Sequence, residues 1–299
     1  MVVRIDSRTC RILTADGEER GCTPPGSWFQ GKARLNELVA VGDMVKIRPE
    51  GSGGVIEMVI PRDNVLSRSA GRRQRLLVAN LHQVVVVGSL AQPPLRPLDI
   101  DRVMAGVIHS GITPVICLNK TELADQDETA RWMAIYAGIP AHIIVTSTAT
   151  GEGIEDLRSA LAGRVSAFAG LSGVGKSSLC NALQPGLDIA VRTVDRRTGQ
   201  GRHTTSFTEL HLLGTDAWIA DTPGIRVFEL HDCRPEDVAA CFPEIAAMGT
   251  GCSFNDCTHS VEPDCAVLTA VSHDGGSIAP SRHTSYLALL EERRQSGSR

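Results

Sequence analysis

A chain of 299 residues is long for a single core and predicts two or three domains. Its 42% hydrophobic and 21% charged residues are ordinary for a globular protein, and no apolar run approaches the ~20 residues that span a bilayer. The net charge of −4 excludes a uniformly basic nucleic-acid binder, and nine cysteines, three of them within 252–265, read as reduced thiols with a metal site rather than a disulfide framework.

The N-terminus, "MVVRIDSRTCRIL", alternates apolar and polar residues and has no signal-peptide core, which predicts a cytoplasmic protein with no membrane partner. Short strands are expected at "VVRIDS", "CRILTA", "MVKIRP" and "GVIEMVI", separated by the turn-rich segments "ADGEERG", "TPPGS" and "EGSGG". So many short strands in so few residues predict an OB-like β-barrel over 1–65. Residues 62–75 read as a linker; within them "RSAGRRQR" carries four arginines and no acid. That run and "RTVDRRTGQGRH" at 192–203 are candidate phosphate-binding footprints on an otherwise acidic chain.

From about 83 the pattern turns to alternating strands and helices. Strands are expected at "QVVVVGS", "TPVICLN", "HIIVTST" and "VSAFAG", with helices at "DIDRVMAGVIHSG", "DETARWMAIYAG" and "IEDLRSALAG" between them. Such units imply an α/β fold with a parallel sheet covered on both faces, over 66–232. A hairpin, "FTELHLLG" then "AWIADTPG", completes the sheet, and 233–299 reads as a small, partly helical, Cys/His-bearing module ending in a helix at "SYLALLEERRQ".

Chemistry concentrates in a few stretches. "GLSGVGKS" matches G-x-x-x-x-G-K-[ST] and lies between a strand and a helix. Gly170, Leu171, Ser172, Gly173, Val174 and Gly175 would turn their N–H groups toward phosphates, with Lys176 reaching the β- and γ-phosphates and Ser178 opening the helix beside them. The Ser177 hydroxyl would ligate Mg²⁺. "DTPG" supplies Asp221 for the same ion and Gly224 for the γ-phosphate. Between them "GQGRHTTS" offers Thr204 and Thr205, of which Thr205 is preferred as the residue that closes over Mg²⁺.

"NKTEL", after the strand "PVICL", resembles the N-K-x-D element that selects guanine. Asn119 would touch the purine edge and Lys120 would lay its stem across the base. The carboxylate of Glu122, one methylene longer than the usual Asp, would accept the N1–H and N2–H of guanine. Adenine lacks both donors and would leave that carboxylate unpaired. Ser147 and Thr148 in "VTSTATGEG" read as the companion loop, offering N–H groups to the base oxygen.

The base reader therefore precedes the phosphate cradle in the chain. A closed sheet can be cut and rejoined without moving its site, so the order implies a circularly permuted P-loop GTPase domain. Permutation also leads the Mg²⁺ loop straight into the C-terminal module. There Cys252, Cys257, His259 and Cys265 form a C-x₄-C-x-H-x₅-C array suited to one closed, structural Zn²⁺, while the other six cysteines read as core or incidental residues.

Barrel, permuted motifs and Cys₃His module together resemble the bacterial ribosome-small-subunit-dependent GTPases, late 30S assembly factors, over essentially the whole chain. The resemblance implies a GTP hydrolase that binds GTP and GDP, is stimulated by the 30S subunit and contacts 16S rRNA through the barrel and zinc modules. Glu122 and Thr148 depart from the family's usual Asp and Ala. Ile225 stands where Ras-type enzymes have a water-orienting Gln and cannot do that work. His203, within the family's G-[RK]-H-T-T element, is the expected positioning group, so His203, Lys176 and Thr205 are the catalytic candidates. The alternatives are a nucleotide-gated rRNA-binding module with incidental hydrolysis, or an ATP-dependent P-loop enzyme, which leaves "NKTEL" unexplained. A monomer is expected, since no feature demands a dimer.

Overall fold

A computed structural model describes residues 1–6, 8–29, 34–70, 73–185, 209–221, 230, 233–272 and 276–297. The chain divides into two compact units. The first is drawn from Met1–Gln83, Arg158–Phe168 and Leu183–Ile225, the second from Val84–Leu157, Ala169–Ala182 and Arg226–Arg299.

In chain order the N-terminal strands are β1 (Val2–Ile5), β2 (Cys10–Leu13) and β3 (Glu19–Thr23), followed by the short helix α1 (Leu35–Leu38), β4 (Val45–Glu50) and β5 (Gly53–Val59). Next come β6 (Val65–Ala70), β7 (Arg73–Ala79), β8 (Gln83–Ser89), α2 (Pro97–His109), β9 (Thr113–Asn119), α3 (Gln126–Tyr136) and β10 (His142–Thr146). The chain continues through α4 (Ile154–Leu161), β11 (Val165–Ala169), α5 (Lys176–Leu183), β12 (Glu209–Leu213) and β13 (Ala217–Asp221). It ends with α6 (Pro243–Gly249), α7 (Ala266–Ser272) and α8 (Pro280–Gly297).

Strands of the first unit lie in the order β11-β13-β12-β1-β2-β3-β5-β4. Neighbours β1, β2 and β3 are antiparallel, β3 runs parallel to β5, and β4 returns antiparallel to β5. Alternation sends Cys10 and Ile12 of β2 inward while Arg11 faces solvent. With Val2, Cys22, Leu35, Val39 and Ile56 they form one apolar core. Asp43, fully buried, anchors the following loop: its carboxylate accepts from Arg62 at 2.6 and 2.8 Å and from the Ala40 amide at 2.8 Å.

Two expectations are corrected here. Glu19–Thr23, read as part of a turn-rich stretch, is a strand because its partners on both sides complete its hydrogen bonds. The linker expected over 62–75 is instead the start of a hairpin, with Val65 paired to Ala79 and Leu66 to Val78.

The second unit places β8, β9 and β10 side by side, with β9 in the middle. All seven residues of β8 are buried, as a strand covered on both faces requires. β9 and β10 are parallel and in register, so Asn119 stands opposite Thr146 at their carboxyl ends. Helix α2 buries Ile100, Val103, Met104 and Val107, the i, i+3, i+4, i+7 stripe of a core-facing helix. Asp125 caps α3 by accepting from the Glu128 amide at 2.7 Å, and Trp132 and Tyr136 turn inward one helical turn apart. The C-terminal helix begins at Pro280, earlier than its apolar run suggested.

α2, α6, α7 and α8 share a core that includes Ala105, Phe242, Ile245, Val267, Tyr286 and Leu289. Within it Arg282, only 1% exposed, donates to Asp101 of α2 at 2.6 Å and to Glu244 of α6 at 2.7 Å. Its guanidinium carbon lies 4.7 Å from the Phe242 ring centre, so the planar cation is stacked as well as paired.

Candidate nucleotide and metal sites

In an open α/β sheet, ligands bind beyond the carboxyl ends of the strands, and the base-reading and phosphate motifs lie there in the second unit. The base-reading loop leaves β9 through Lys120, whose φ of 66° turns the chain sharply into the short helical turn 121–123. Asn119 has no exposed surface. Its side-chain N–H donates to the Val174 carbonyl of the cradle at 2.9 Å, and its Oδ1 accepts from the Thr146 hydroxyl at 3.1 Å. Because that hydroxyl donates to Asn119, the contact between Thr146 and the Cys117 sulfur at 3.3 Å must be donated by the thiol. Burial pushes the Cys117 thiol up to about 12, so it keeps the proton. A thiol, a hydroxyl and an amide thus fix one another, and the amide orientation is set by chemistry beneath the site.

Lys120 makes the second tie. Its ammonium donates to the Gly173 carbonyl at 2.8 Å and also to the Gln92 carbonyl. Thr121 donates to the Glu152 carboxylate at 2.9 Å, which couples the base reader to the companion loop. Ser147 is buried and shapes that loop, its hydroxyl accepting from the Thr150 amide at 3.1 Å. Thr148 is half-buried and Glu122 is exposed, so the carboxylate expected to face the base is not used by the interior.

The cradle needs glycine for two separate reasons. Gly170 has a φ of 142°, and a Cβ there would meet the Val87 carbonyl oxygen at 2.2 Å. At Gly175 the φ is 101°, and a Cβ would strike the Asn119 amide nitrogen at 2.2 Å. The second glycine is what lets base reader and cradle touch. Lys176 folds back over the loop, donating to the carbonyls of Gly170 at 2.9 Å and Leu171 at 2.8 Å. Leu171, Ser172, Gly173 and Ser178 are exposed along the cradle, Ser177 is half-buried at the start of α5, and Val174 packs inward.

Asp221 is the last residue of β13, the position expected for it. His203, Thr204, Thr205, Gly224 and Ile225 lie outside the described residues. Sequence reasoning missed Thr146, Cys117 and Gln92. The first two could have been suspected, since polar residues at or near the ends of parallel strands either line a site or support one.

The four C-terminal ligand candidates do converge. Donor atoms of Cys252, Cys257, His259 and Cys265 lie within 4.8 Å of one another. The Cys252 and Cys265 sulfurs are 3.7 Å apart, and His259 Nδ1 stands 3.5 and 3.6 Å from them. Tetrahedral Zn²⁺ with ordinary bond lengths demands edges of about 3.8 Å between sulfurs and about 3.6 Å between sulfur and nitrogen. The donor set and its spacing therefore fit zinc. Burial lowers the His259 imidazole below its ordinary value, favouring the neutral ring a metal takes.

This loop is held from behind. His259 adopts a φ of 57°, and its carbonyl accepts from His283 of α8 at 2.7 Å. Tyr286 of the same helix donates to the Thr258 carbonyl at 2.8 Å. Glu262 accepts from the amides of Thr258, Ser260 and Val261 at 2.8, 2.9 and 3.1 Å. Desolvation alone would raise its carboxyl. The hydrogen bonds from the Thr258 hydroxyl and these amides outweigh that and hold it down to about 2.

A base-reading loop that precedes its phosphate cradle in the chain, both tied together at the carboxyl ends of parallel strands, defines a circularly permuted GTPase. Residues 59–231 match the family model described as RsgA GTPase. The chain belongs to the RsgA GTPase family. It is 43% identical over 268 residues to the small ribosomal subunit biogenesis GTPase RsgA of Moorella thermoacetica, covering 88% of each chain. It is 42% identical over 300 residues to the protein of the same name from Gemmatimonas aurantiaca, covering 98% of this chain and 96% of that one. Among solved structures it resembles YjeQ from Thermotoga maritima, with a TM-score of 0.81 and 33% identity over 98% of this chain and 97% of that one. It also resembles YloQ, described as a circularly permuted GTPase, with a TM-score of 0.77 and 27% identity over 98% and 94% of the two chains.

Proposed function

We propose that this GTPase acts late in assembly of the 30S ribosomal subunit and that the subunit stimulates its turnover. Family membership and the names of the relatives support this reading. The observation that carries the nucleotide chemistry is the pair of ties from Asn119 to Val174 and from Lys120 to Gly173. Through them one rigid frame holds both the base and the phosphates of a single nucleotide.

In that frame Glu122 accepts the paired N–H groups of guanine, and Ser147 and Thr148 line the opposite edge. Lys176 exchanges the carbonyls of Gly170 and Leu171 for the β- and γ-phosphates, and the N–H groups of 170–175 together with Ser178 and Gly224 surround them. Ser177, Thr205 and Asp221 would hold Mg²⁺, which neutralises the charge that develops on the phosphates. His203 orients the attacking water in place of the Gln that Ile225 replaces.

Residues 1–65 act as an OB-like barrel and, with 233–299, contact 16S rRNA. Residues 66–232 are the GTPase domain, and Cys252, Cys257, His259 and Cys265 hold one structural Zn²⁺. The protein acts as a cytoplasmic monomer. The test is release from 30S subunits: GTP should release the chain, and a non-hydrolysable analogue should leave it bound. His203→Ala should retain GTP affinity yet also stay bound; equal release by GTP and the analogue would make hydrolysis incidental.

A further inference from the structure

A second group of soft ligands lies outside both sites. His109 is the last residue of α2, and Cys233 and Cys241 bracket the short helical turns that lead to α6. A His109 ring nitrogen and the two sulfurs all lie within 4.8 Å of one another. Both cysteines are 3% exposed, whereas His109 is exposed.

A plainer explanation takes each residue separately. Buried thiols behave as small apolar groups, and Cys233 and Cys241 do border the core built on Phe242 and Leu289. A histidine at a helix C-terminus complements the helix dipole without any ligand. The thiols also donate locally, Cys233 to the Arg234 carbonyl at 3.5 Å and Cys241 to the Asp237 carbonyl at 3.6 Å; what these accounts leave over is one ring nitrogen near both sulfurs.

Ordinary Zn–S and Zn–N bonds bring tetrahedral donor atoms to about 3.6–3.8 Å, so closing this group around an ion needs a contraction of no more than about 1.2 Å. Closure requires both thiols to rotate off the Arg234 and Asp237 carbonyls. The nearby Asp237 is already engaged, its carboxylate accepting from Arg234 at 2.9 and 3.2 Å. His109 is the member of the group that faces solvent.

We propose that His109, Cys233 and Cys241 form a second metal site, open on one side, that takes Zn²⁺ with solvent as fourth ligand. Binding releases the two thiol protons to solvent. The ion would clasp the C-terminal end of α2 to residues 233–241, the stretch between Asp221 and the Cys₃His array in chain order. It differs from that array in having three protein ligands rather than four. The proposal stands apart from the nucleotide reading and can fail without it.

The test is a Co²⁺ titration of the full chain purified with zinc, followed by absorption. One further equivalent should bind with intense sulfur-to-cobalt charge transfer. His109→Ala, a surface change, should keep the far-ultraviolet circular dichroism and weaken that binding roughly tenfold or more, since even second-shell changes reach this size. As a second measurement, Co²⁺ should slow alkylation of Cys233 and Cys241. Absence of the charge-transfer band, or a band unchanged in His109→Ala, would overturn the site.

Discussion

At the scale of single residues, the nucleotide site depends on Asn119 more through its own protein than a motif reading suggests. The side chain is buried and holds the cradle at Val174 while Thr146 holds it. Asn119→Ala removes a buried donor and acceptor together and leaves the Val174 carbonyl without this partner. Losses of about 1–3 kcal/mol follow, or roughly 5- to 150-fold in GDP affinity by equilibrium titration. Affinity within about threefold of the parent would show that the tie does not organise the site. Residue types at fixed spacing made this region legible: Gly170, Gly175 and Lys176 announce a cradle, and Asn119 with Lys120 a base reader. The supporting atoms were hidden because Thr146 and Cys117 act through tertiary register, which no local pattern records. Glu122 is exposed in the base-reading turn, so the extra methylene need not disturb the fold around it.

Glu262 belongs to the same scale. Its folded carboxyl titrates near 2 against an ordinary value of 4.5. A depressed carboxyl stabilises the fold above its unfolded value, so this contribution is complete above about pH 4.5 and fades as pH falls toward 2. An NMR titration of the side-chain carboxyl should place its midpoint near 2, and a midpoint near 4.5 would mean that the amides of Thr258, Ser260 and Val261 do not hold it. The ligand array was visible as three cysteines and a histidine, but the role of the intervening glutamate was not.

At the scale of elements, the misread segments share a cause. Glu19–Thr23 has little strand propensity of its own and becomes a strand by pairing, Cys22 standing opposite Cys10 and Gly54. The arginines of 68–75 suggested a solvated linker, yet the apolar run that follows them pairs back onto 65–67. Strong intrinsic patterns, such as the wholly buried β8 and the stripe on α2, were read correctly because burial on both faces or one face leaves a direct mark.

Arg282 of α8 ties α2 and α6 together beside the Cys₃His loop. Arg282→Met would leave Asp101 and Glu244 as buried carboxylates without their partner, which typically costs about 3–5 kcal/mol. Denaturant unfolding of the second unit should shift by that amount, and neutralising both acids as well should restore much of it. A loss below about 1 kcal/mol would mean that the triad is already largely neutral or solvated.

At the scale of the molecule, the order of motifs is the informative feature. Permutation puts the base reader first, so the chain passes from Asp221 directly toward the Cys₃His module. Within the second unit α2, α6 and α8 then share one core and one ion network. The nucleotide motifs and the Cys₃His module are therefore consecutive in the chain.

GTP turnover with and without purified 30S subunits tests that account most directly. The account predicts slow turnover by the chain alone and marked stimulation by the subunit, on the scale of a residue that acts only when positioned, ~10²-fold or more. Turnover unchanged by 30S subunits would contradict it, and would leave a GTP site without the ribosomal role proposed for it.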